Sequence, residues 1–265
     1  MSTRTHNIAL LTSILVIFFI YYFGSSSDNF YVVSDIVNIL TAALAVFFGF
    51  IVVKKSDTNN IQGKALLFIF LAAVLWMLAE SAWGYYEIGL GIQTPETTVA
   101  DLLWYLGYFS VMIGFHYIWK IIRPTISKLR NYISFLVSTA TFFISSVFVY
   151  YDTFSPERSL IDNIVINGYV VFDLTLIVVG ILTILSFRGG NLAKPWAILA
   201  ASIIIMLIPD FIYSKYINTF NPADLYTILW SIGYLLMAFS FHYYSHVLDD
   251  MKAHSKNRKN NRKNA

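Results

Sequence analysis

The chain has 265 residues, of which 57% are hydrophobic and 12% are charged, with a formal net charge of +3. Soluble domains carry about 25% charged residues, so this composition excludes an ordinary soluble domain and predicts a polytopic membrane protein. The absence of cysteine excludes disulfides, thiolate catalysis and cysteine metal sites. The five histidines are too scattered to predict a zinc site.

Hydrophobic segments of roughly the length that spans a bilayer, about 20 residues, recur along the whole chain. The eight predicted segments are 7–24, 31–53, 64–89, 98–121, 131–151, 162–187, 194–217 and 223–247. The first segment is short, which leaves seven spans as the alternative. The connecting loops are short, so any chemistry is expected within or beside the membrane. The fold class predicted is therefore an all-α integral membrane protein of the cell membrane.

Basic residues indicate the orientation of these spans, because short cytoplasmic loops carry an excess of Lys and Arg. One side has most of them, including Lys54, Lys55 and Arg188, whereas the other side has only Arg158 and Lys215. The N-terminus and the C-terminus are both predicted to be cytoplasmic. This topology requires an even number of spans and favours eight over seven.

The last predicted unit is a basic tail, residues 251–265, which contains six of the 18 Lys and Arg residues. With almost no apolar side chain it is predicted to be disordered and to anchor the topology at anionic lipid. Docking to an acidic partner is the alternative. Nucleic-acid binding is not predicted, because the tail lacks interleaved aromatic residues and a folded basic face.

Two stretches of the chain, Trp104–Lys120 and Trp230–His246, resemble each other without a gap. The shared positions are Trp104 and Trp230, Gly107 and Gly233, Tyr108 and Tyr234, and the Phe-His-Tyr triplets at 115–117 and 241–243. One helix earlier in each stretch, Glu80 corresponds to Asp210. This internal repeat predicts two four-helix units, residues 1–130 and 131–250. Because four spans is an even number, the two units should be parallel.

Acidic residues inside the predicted helices indicate where a site lies. At 1.5 Å per residue, Glu80, Asp173 and Asp210 fall in the outer third of a bilayer core about 30 Å thick. Ionisable side chains are costly there and suggest a function. The alternative is that they make hydrogen bonds between helices that hold the bundle together.

Aromatic side chains accompany these acids at helical spacing. One stripe comprises Asp101, Trp104, Tyr105, Tyr108, Met112 and His116. Aromatic residues at the membrane interface and helix capping by Asp101 are alternative explanations, and packing is the alternative for the histidines. We nevertheless expect an outward-facing acidic–aromatic pocket. Its predicted lining is Glu80, Trp83, Tyr86, Asp101, Trp104, Tyr108, Asp173, Asp210, Tyr213, Trp230 and Tyr234, with His116 and His242 at its inner end.

The two copies of the hairpin are not equivalent, because Thr227 occupies the position of Asp101 in the second copy. One dominant site near Glu80 and Asp101 is therefore expected. No nucleophile–base pair, phosphate loop or metal-ligand spacing is found in the sequence. An enzyme, a metal site and a cofactor are accordingly not predicted.

The first hairpin has the pattern W-x-L-A-E-x-x-W-x-Y-Y-E, from Trp76 to Glu87, followed by P-x-x-x-x-A-D-x-x-W-x-x-G-Y, from Pro95 to Tyr108. This pattern resembles an integral-membrane input module of bacterial and archaeal signalling proteins. In that family the module precedes diguanylate cyclase (GGDEF), EAL, PAS or histidine kinase domains. The resemblance implies a sensory role. Since no output domain follows the last helix here, it also implies a separate cytoplasmic signalling partner.

The sequence therefore favours a non-enzymatic membrane sensor or binding module for a small molecule or cation. A small transporter or channel is the first alternative, because two parallel halves suit alternating access. A structural subunit of a larger membrane complex is the second. Beyond the lipid bilayer, the ligand and any protein partner are not identified by the sequence.

Overall fold

The computed structural model describes residues 3–24, 29–92, 97–122, 154–186, 192–216 and 224–263, with scattered helical positions between 133 and 147. Regular structure in these ranges is entirely helical. The seven α-helices are α1 (Thr3–Gly24), α2 (Phe30–Lys55), α3 (Ile61–Gly84), α4 (Val99–Ile122), α5 (Leu160–Ser186), α6 (Ala193–Tyr216) and α7 (Ile228–Lys263). A π-helix, Tyr85–Gly89, continues α3, and a 3₁₀ turn, Leu225–Thr227, precedes α7.

The helices follow the predicted segments closely, except at the end of the chain. The predicted segment 131–151 and the proposed boundary at residue 130 lie largely outside the described residues. Helix α7 continues as helical backbone to Lys263, where the sequence predicts a disordered tail from residue 251. Lys and Arg are good helix formers, so a helix that begins in the bundle can extend through a basic segment.

Among the described residues, five helices are long and apolar enough to cross a membrane, which identifies the chain as a multi-pass helical membrane protein. They are Phe30–Lys55, Ile61–Gly89, Val99–Ile121, Leu160–Ile184 and Ala193–Tyr213. Helix α1 contributes a shorter apolar stretch, Ile8–Gly24. Helix α7 is not among the five, because Ser, Tyr and His residues interrupt its apolar sequence.

Six of the helices form a closed ring. Each packs on the next in the order α2, α3, α4, α5, α6 and α7, and α7 packs on α2. Helix α1 lies outside the ring against α7 and α2, where its buried Tyr21 hydroxyl contacts Ser34 Oγ at 3.0 Å and Ser231 Oγ at 3.3 Å. Consecutive described helices from α2 to α7 thus pack side by side. The ring closes where α2 packs on α7, which is distant from it in the sequence.

One end of the ring contains polar contacts that follow from the sequence. There the Asn60 side chain caps α3 by accepting a hydrogen bond from Gly63 N at 2.7 Å. At the same end, Lys55 Nζ forms an ion pair with Asp249 Oδ2 at 2.7 Å, and Lys252 Nζ donates to Lys55 O. The ends of α2 and α7 that carry basic residues therefore lie together.

Candidate functional site

The first acidic centre of the ring, here called the Glu80 centre, consists of Glu80, Trp104 and Tyr234. Glu80 is on α3 and its side chain is 8% exposed. Its Oε1 accepts hydrogen bonds from Tyr234 OH on α7 at 2.7 Å and from Trp104 Nε1 on α4 at 3.4 Å. A carboxylate buried among apolar helices needs such donors, because leaving it unpaired costs several kcal/mol.

The second centre, here called the Asp210 centre, consists of Asp210, Trp230, Tyr108 and Asp173. Trp230 Nε1 donates to Asp210 Oδ1 at 2.6 Å. Tyr108 OH lies 2.9 Å from Asp210 Oδ2 and 2.6 Å from Asp173 Oδ1. Asp173 is fully buried on α5, and its Oδ2 has no hydrogen-bond partner among the described residues. This centre therefore holds two carboxyl groups around one phenol.

The two centres are related by an exchange of tyrosines. Each of Glu80 and Asp210 is bonded by the tryptophan of the next described helix, Trp104 on α4 for Glu80 and Trp230 on α7 for Asp210. Each is also bonded by the tyrosine four residues after the other tryptophan, Tyr234 for Glu80 and Tyr108 for Asp210. Each acid thus has one bond to a neighbouring helix and one bond that links α3 and α7 or α4 and α6.

Close packing around the centres is also matched between the halves. A side-chain Cβ at Gly107 would overlap the indole of Trp76, and a Cβ at Gly233 would overlap Met206. Trp76 lies four residues before Glu80, as Met206 does before Asp210. Glycine at both positions therefore allows α4 and α7 to approach the helix that carries each acid.

Asp101 is held by other partners than Glu80, although the sequence predicts that both belong to one dominant site. Asp101 Oδ2 accepts from Thr98 N at 2.7 Å, and Thr98 Oγ1 in turn accepts from Ala100 N, so Asp101 does cap α4. Its Oδ1 accepts from Tyr169 OH on α5 at 2.8 Å. Asp101 is a capping residue that also ties α4 to α5.

The remaining outer residues of the predicted pocket lie around these bonds rather than in them. Trp83 packs on Trp104 with ring centroids 5.6 Å apart, and Tyr86 packs on Tyr85 at 6.2 Å. Tyr213 is close enough to Asp101 and Glu87 to interact electrostatically with both. These aromatic side chains form the surroundings of the two centres.

The histidines predicted at the inner end of the pocket do not continue the stripe. His116 is exposed beside Tyr117, whereas His242 packs against the rings of Phe48 and His246, with centroids 4.8 and 4.7 Å away. A row at four-residue spacing advances about 40° around the helix at each step, because a turn has 3.6 residues. Met112 and His116 therefore turn outward, while Val111 and Phe115 face the core.

A further pair of acids was not among the predicted site residues. Asp35 on α2 and Glu87 in the π-helix are both buried, and their side chains hydrogen-bond to each other. The π-turn brings Glu87 towards α2, and such turns are frequent at functional sites. A polar cluster in α2, with Asn38 bonded by Ser231, adjoins them. The sequence signal that could have found the pair is Glu87 in the Trp76–Glu87 stripe.

The arrangement can bind a positively charged group or protons. Aromatic faces and acidic oxygens are the groups that recognise cations, and no group of three or more metal-ligating His, Asp or Glu side chains occurs among the described residues. The single ion pair found in the described part of the chain, between Lys55 and Asp249, lies away from the two centres.

Comparisons with protein-family models, with curated proteins and with solved structures found no match to this chain.

Proposed function

We propose that this chain is a non-enzymatic sensor or binding module of the cell membrane, whose outward-facing acidic–aromatic site receives a small molecule or cation. The observation that carries the proposal is the pair of buried acids, Glu80 and Asp210, each bonded by indole and phenol donors from both halves of the ring. A ligand that enters this site changes bonds that cross the ring, and so changes how the two halves are held together.

The proposed architecture is eight spans in two parallel four-helix repeats, residues 1–130 and 131–250. The matched bonds at Glu80 and Asp210 support it, as does one further pair of matched contacts. Gly114 faces the carbonyl oxygen of Ala65, and Ser240 Oγ donates to the carbonyl oxygen of Pro195 at 2.8 Å. Ala65 lies fifteen residues before Glu80, and Pro195 lies fifteen residues before Asp210, as expected for two copies of one hairpin.

The proposed orientation has the N-terminus and C-terminus in the cytoplasm. The proximity of Lys55, Asp249 and Lys252 supports it, because this places the basic ends of α2 and α7 on one side. The signalling partner suggested by the resemblance of the first hairpin would contact this basic end. Displacement of α7 relative to α3 is then the proposed signal, since Tyr234 on α7 donates to Glu80 on α3.

The proposal is tested by a ligand screen on the purified protein in detergent. Thermal unfolding is recorded with a panel of small amines, monovalent cations and divalent cations. At least one compound should raise the unfolding temperature of the wild type, and Glu80→Gln, Asp101→Asn or Asp210→Asn should reduce that increase. The matched control is Asp162→Asn, because Asp162 bonds Thr97 and Ser159 at the start of α5, outside both centres.

If all three substitutions leave every ligand response and the fold unchanged, the acidic–aromatic site is not the binding site. If no compound in the panel acts on the wild type, the proposed ligand class is wrong.

A small transporter is the second candidate, and the bonds across the ring favour it. In transporters built from repeats the substrate site lies at the interface between the repeats, and both centres join the two halves in this way. Uptake of the compounds identified by the screen into proteoliposomes separates the two candidates. Uptake that Glu80→Gln and Asp210→Asn abolish would exclude a pure sensor.

A further inference from the structure

The Asp210 centre contains one phenol between two carboxyl groups. Tyr108 OH is 2.6 Å from Asp173 Oδ1 and 2.9 Å from Asp210 Oδ2, and both distances are those of hydrogen bonds. A tyrosine hydroxyl has one proton to donate. It can therefore satisfy one carboxylate, and the second contact is a hydrogen bond only when that carboxyl is protonated and donates to the phenol oxygen.

The alternative protonation state is unfavourable in this environment. If both carboxyls were ionised, one of the two contacts would bring a carboxylate oxygen against a lone pair of the phenol oxygen. It would also leave two negative charges around one group in a site of low polarity, where like charges repel strongly. The proton count of the centre is therefore set by its geometry.

A second observation concerns the Asp173 side of the centre. Asp173 is fully buried, and its Oδ2 has no partner among the described residues. A buried carboxylate oxygen without a donor is costly, and this cost is smaller when Asp173 is neutral, with its proton on Oδ1 towards Tyr108. The unpaired oxygen and the single phenol proton thus point to the same additional proton.

The groups facing the pair are mostly acids and phenols, and they do not supply a counter-charge. Tyr105 and Tyr108 on α4 and Tyr169 on α5 face the pair, and from the far side of the ring Glu80 and Tyr234 interact with Asp210. Trp230 donates to Asp210 but does not titrate at accessible pH. Among these described groups there is no Lys, Arg or His.

We propose that Asp173, Tyr108 and Asp210 form a proton-binding site that holds one proton shared by the two carboxyl groups. The site rests on the proposed function, because it names the proton as a ligand of the same acidic–aromatic site. A cationic ligand bound at this centre would take the place of the shared proton, so that its binding would release one proton.

Infrared spectroscopy of the purified protein counts this proton, because the C=O stretch of a protonated carboxyl is separate from the carboxylate bands. At neutral pH, Asp173→Asn and Asp210→Asn should each remove one protonated-carboxyl band of equal area. The double variant Asp173→Asn/Asp210→Asn should remove no more than either single variant, since the same proton is lost in each. The matched control, Asp162→Asn, should keep the band, because Asp162 accepts from Thr97 and Ser159 outside both centres.

Two results would overturn the proposal. A double variant that loses twice the area of either single variant would mean that each acid carries its own proton. A double variant that loses no band would mean that both acids are ionised. Should the Asn variants not fold, Tyr108→Phe provides the readout, because loss of the phenol must shift the frequency of the shared-proton band; an unshifted band contradicts the proposal.

The infrared experiment and the ligand screen test different proposals, and either proposal can be wrong while the other is right. A correct proton count with no ligand response in any variant would disprove the sensor function and keep the proton site. A ligand response that depends on Glu80, in a protein that lacks the shared proton, would support the sensor function and disprove the proton site.

Discussion

The Glu80 centre and the Asp210 centre have the same donors but different numbers of acids. Glu80 and Asp210 are each bonded by one indole and one phenol, yet Trp230 approaches Asp210 to 2.6 Å whereas Trp104 remains 3.4 Å from Glu80. Tyr234 serves one carboxyl, and Tyr108 serves two. The two centres therefore have similar frames and different protonation requirements.

The extra acid has a simple origin in the sequence. Asp173 lies seven residues before Gly180, and Ala42 lies seven residues before Gly49. Both glycines pack on the following helix, Gly49 beside Phe70 and Gly180 beside Ala200. In the proposed repeat, a buried alanine of the first half thus corresponds to the buried acid of the second. The Asp210 centre therefore has a second acid because Asp173 occupies the position that corresponds to Ala42 in the proposed first repeat.

The largest difference between the halves is expected at the two packing glycines. Gly107→Ala should destabilise the protein by about 3 kcal/mol, because the added methyl group meets the rigid indole of Trp76, which is also fixed by its bond to Trp104 O. Gly233→Ala should cost less, about 2 kcal/mol, because Met206 can change rotamer although the backbone oxygen of Ser202, 3.1 Å from the added methyl group, cannot move away. Thermal unfolding in detergent measures both.

The control for this comparison is Gly180→Ala, whose added methyl group would contact the movable end of Ile204 at 3.2 Å. Its effect should be no larger than that of Gly233→Ala. Equal losses for Gly107→Ala and Gly233→Ala would show that the two halves are packed with the same rigidity.

The second comparison removes the phenols that cross the ring. Tyr108→Phe should cost about 2 kcal/mol and Tyr234→Phe about 1 kcal/mol, because a buried carboxyl left without its donor loses about 1–3 kcal/mol. Tyr108 serves two acids, whereas Glu80 keeps Trp104 when Tyr234 is changed. Unfolding of both variants at neutral pH tests this order, and Tyr85→Phe, at an exposed tyrosine, is the control.

The third comparison concerns the two indoles. Trp230→Phe should cost about 1.5 kcal/mol and Trp104→Phe about 0.5 kcal/mol, because a short bond to a carboxyl contributes more than a long one. The same ring atoms are removed in the two variants, and Trp104 also packs on Trp83, so a larger loss for Trp230→Phe would be due to its shorter hydrogen bond. A larger loss for Trp104→Phe would contradict the order of the two distances.

The smallest expected effect lies outside the membrane spans, at the ion pair between Lys55 and Asp249. The hydrogen bond from Lys55 lowers the pKa of Asp249 below its usual value of about 4. The pair therefore stabilises the protein above that pH, and this contribution is lost as the pH falls through the lowered pKa of the folded state. Asp249→Asn should cost less than about 1 kcal/mol at neutral pH, since exposed ion pairs are weak.

The check on this last prediction is the unfolding temperature of the wild type and Asp249→Asn from neutral to acidic pH. The difference between them should vanish at low pH and shrink in high salt. A difference that persists in acid would assign the effect to something other than the ion pair.

Much of the fold and the main acids of the site could be predicted from the sequence. Continuous hydrophobic segments predicted seven described helices, and the acids Glu80, Asp173 and Asp210 were selected because charge is costly at their depth. The exposure of His116 at the predicted inner end of its stripe, by contrast, was not predicted from the sequence. A four-residue row winds around a helix, so spacing alone cannot follow one face over three turns.

The sequence by itself determined which segments are helical and which polar residues they contain, because hydropathy and spacing are properties of consecutive residues. Only the tertiary structure decided which donor serves which acid. Tyr234 is 154 positions from Glu80 and Tyr108 is 102 positions from Asp210, and these pairs meet because the helices close into a ring. The pairing of Asp35 with Glu87 likewise depends on the π-turn and on the packing of α2 against it.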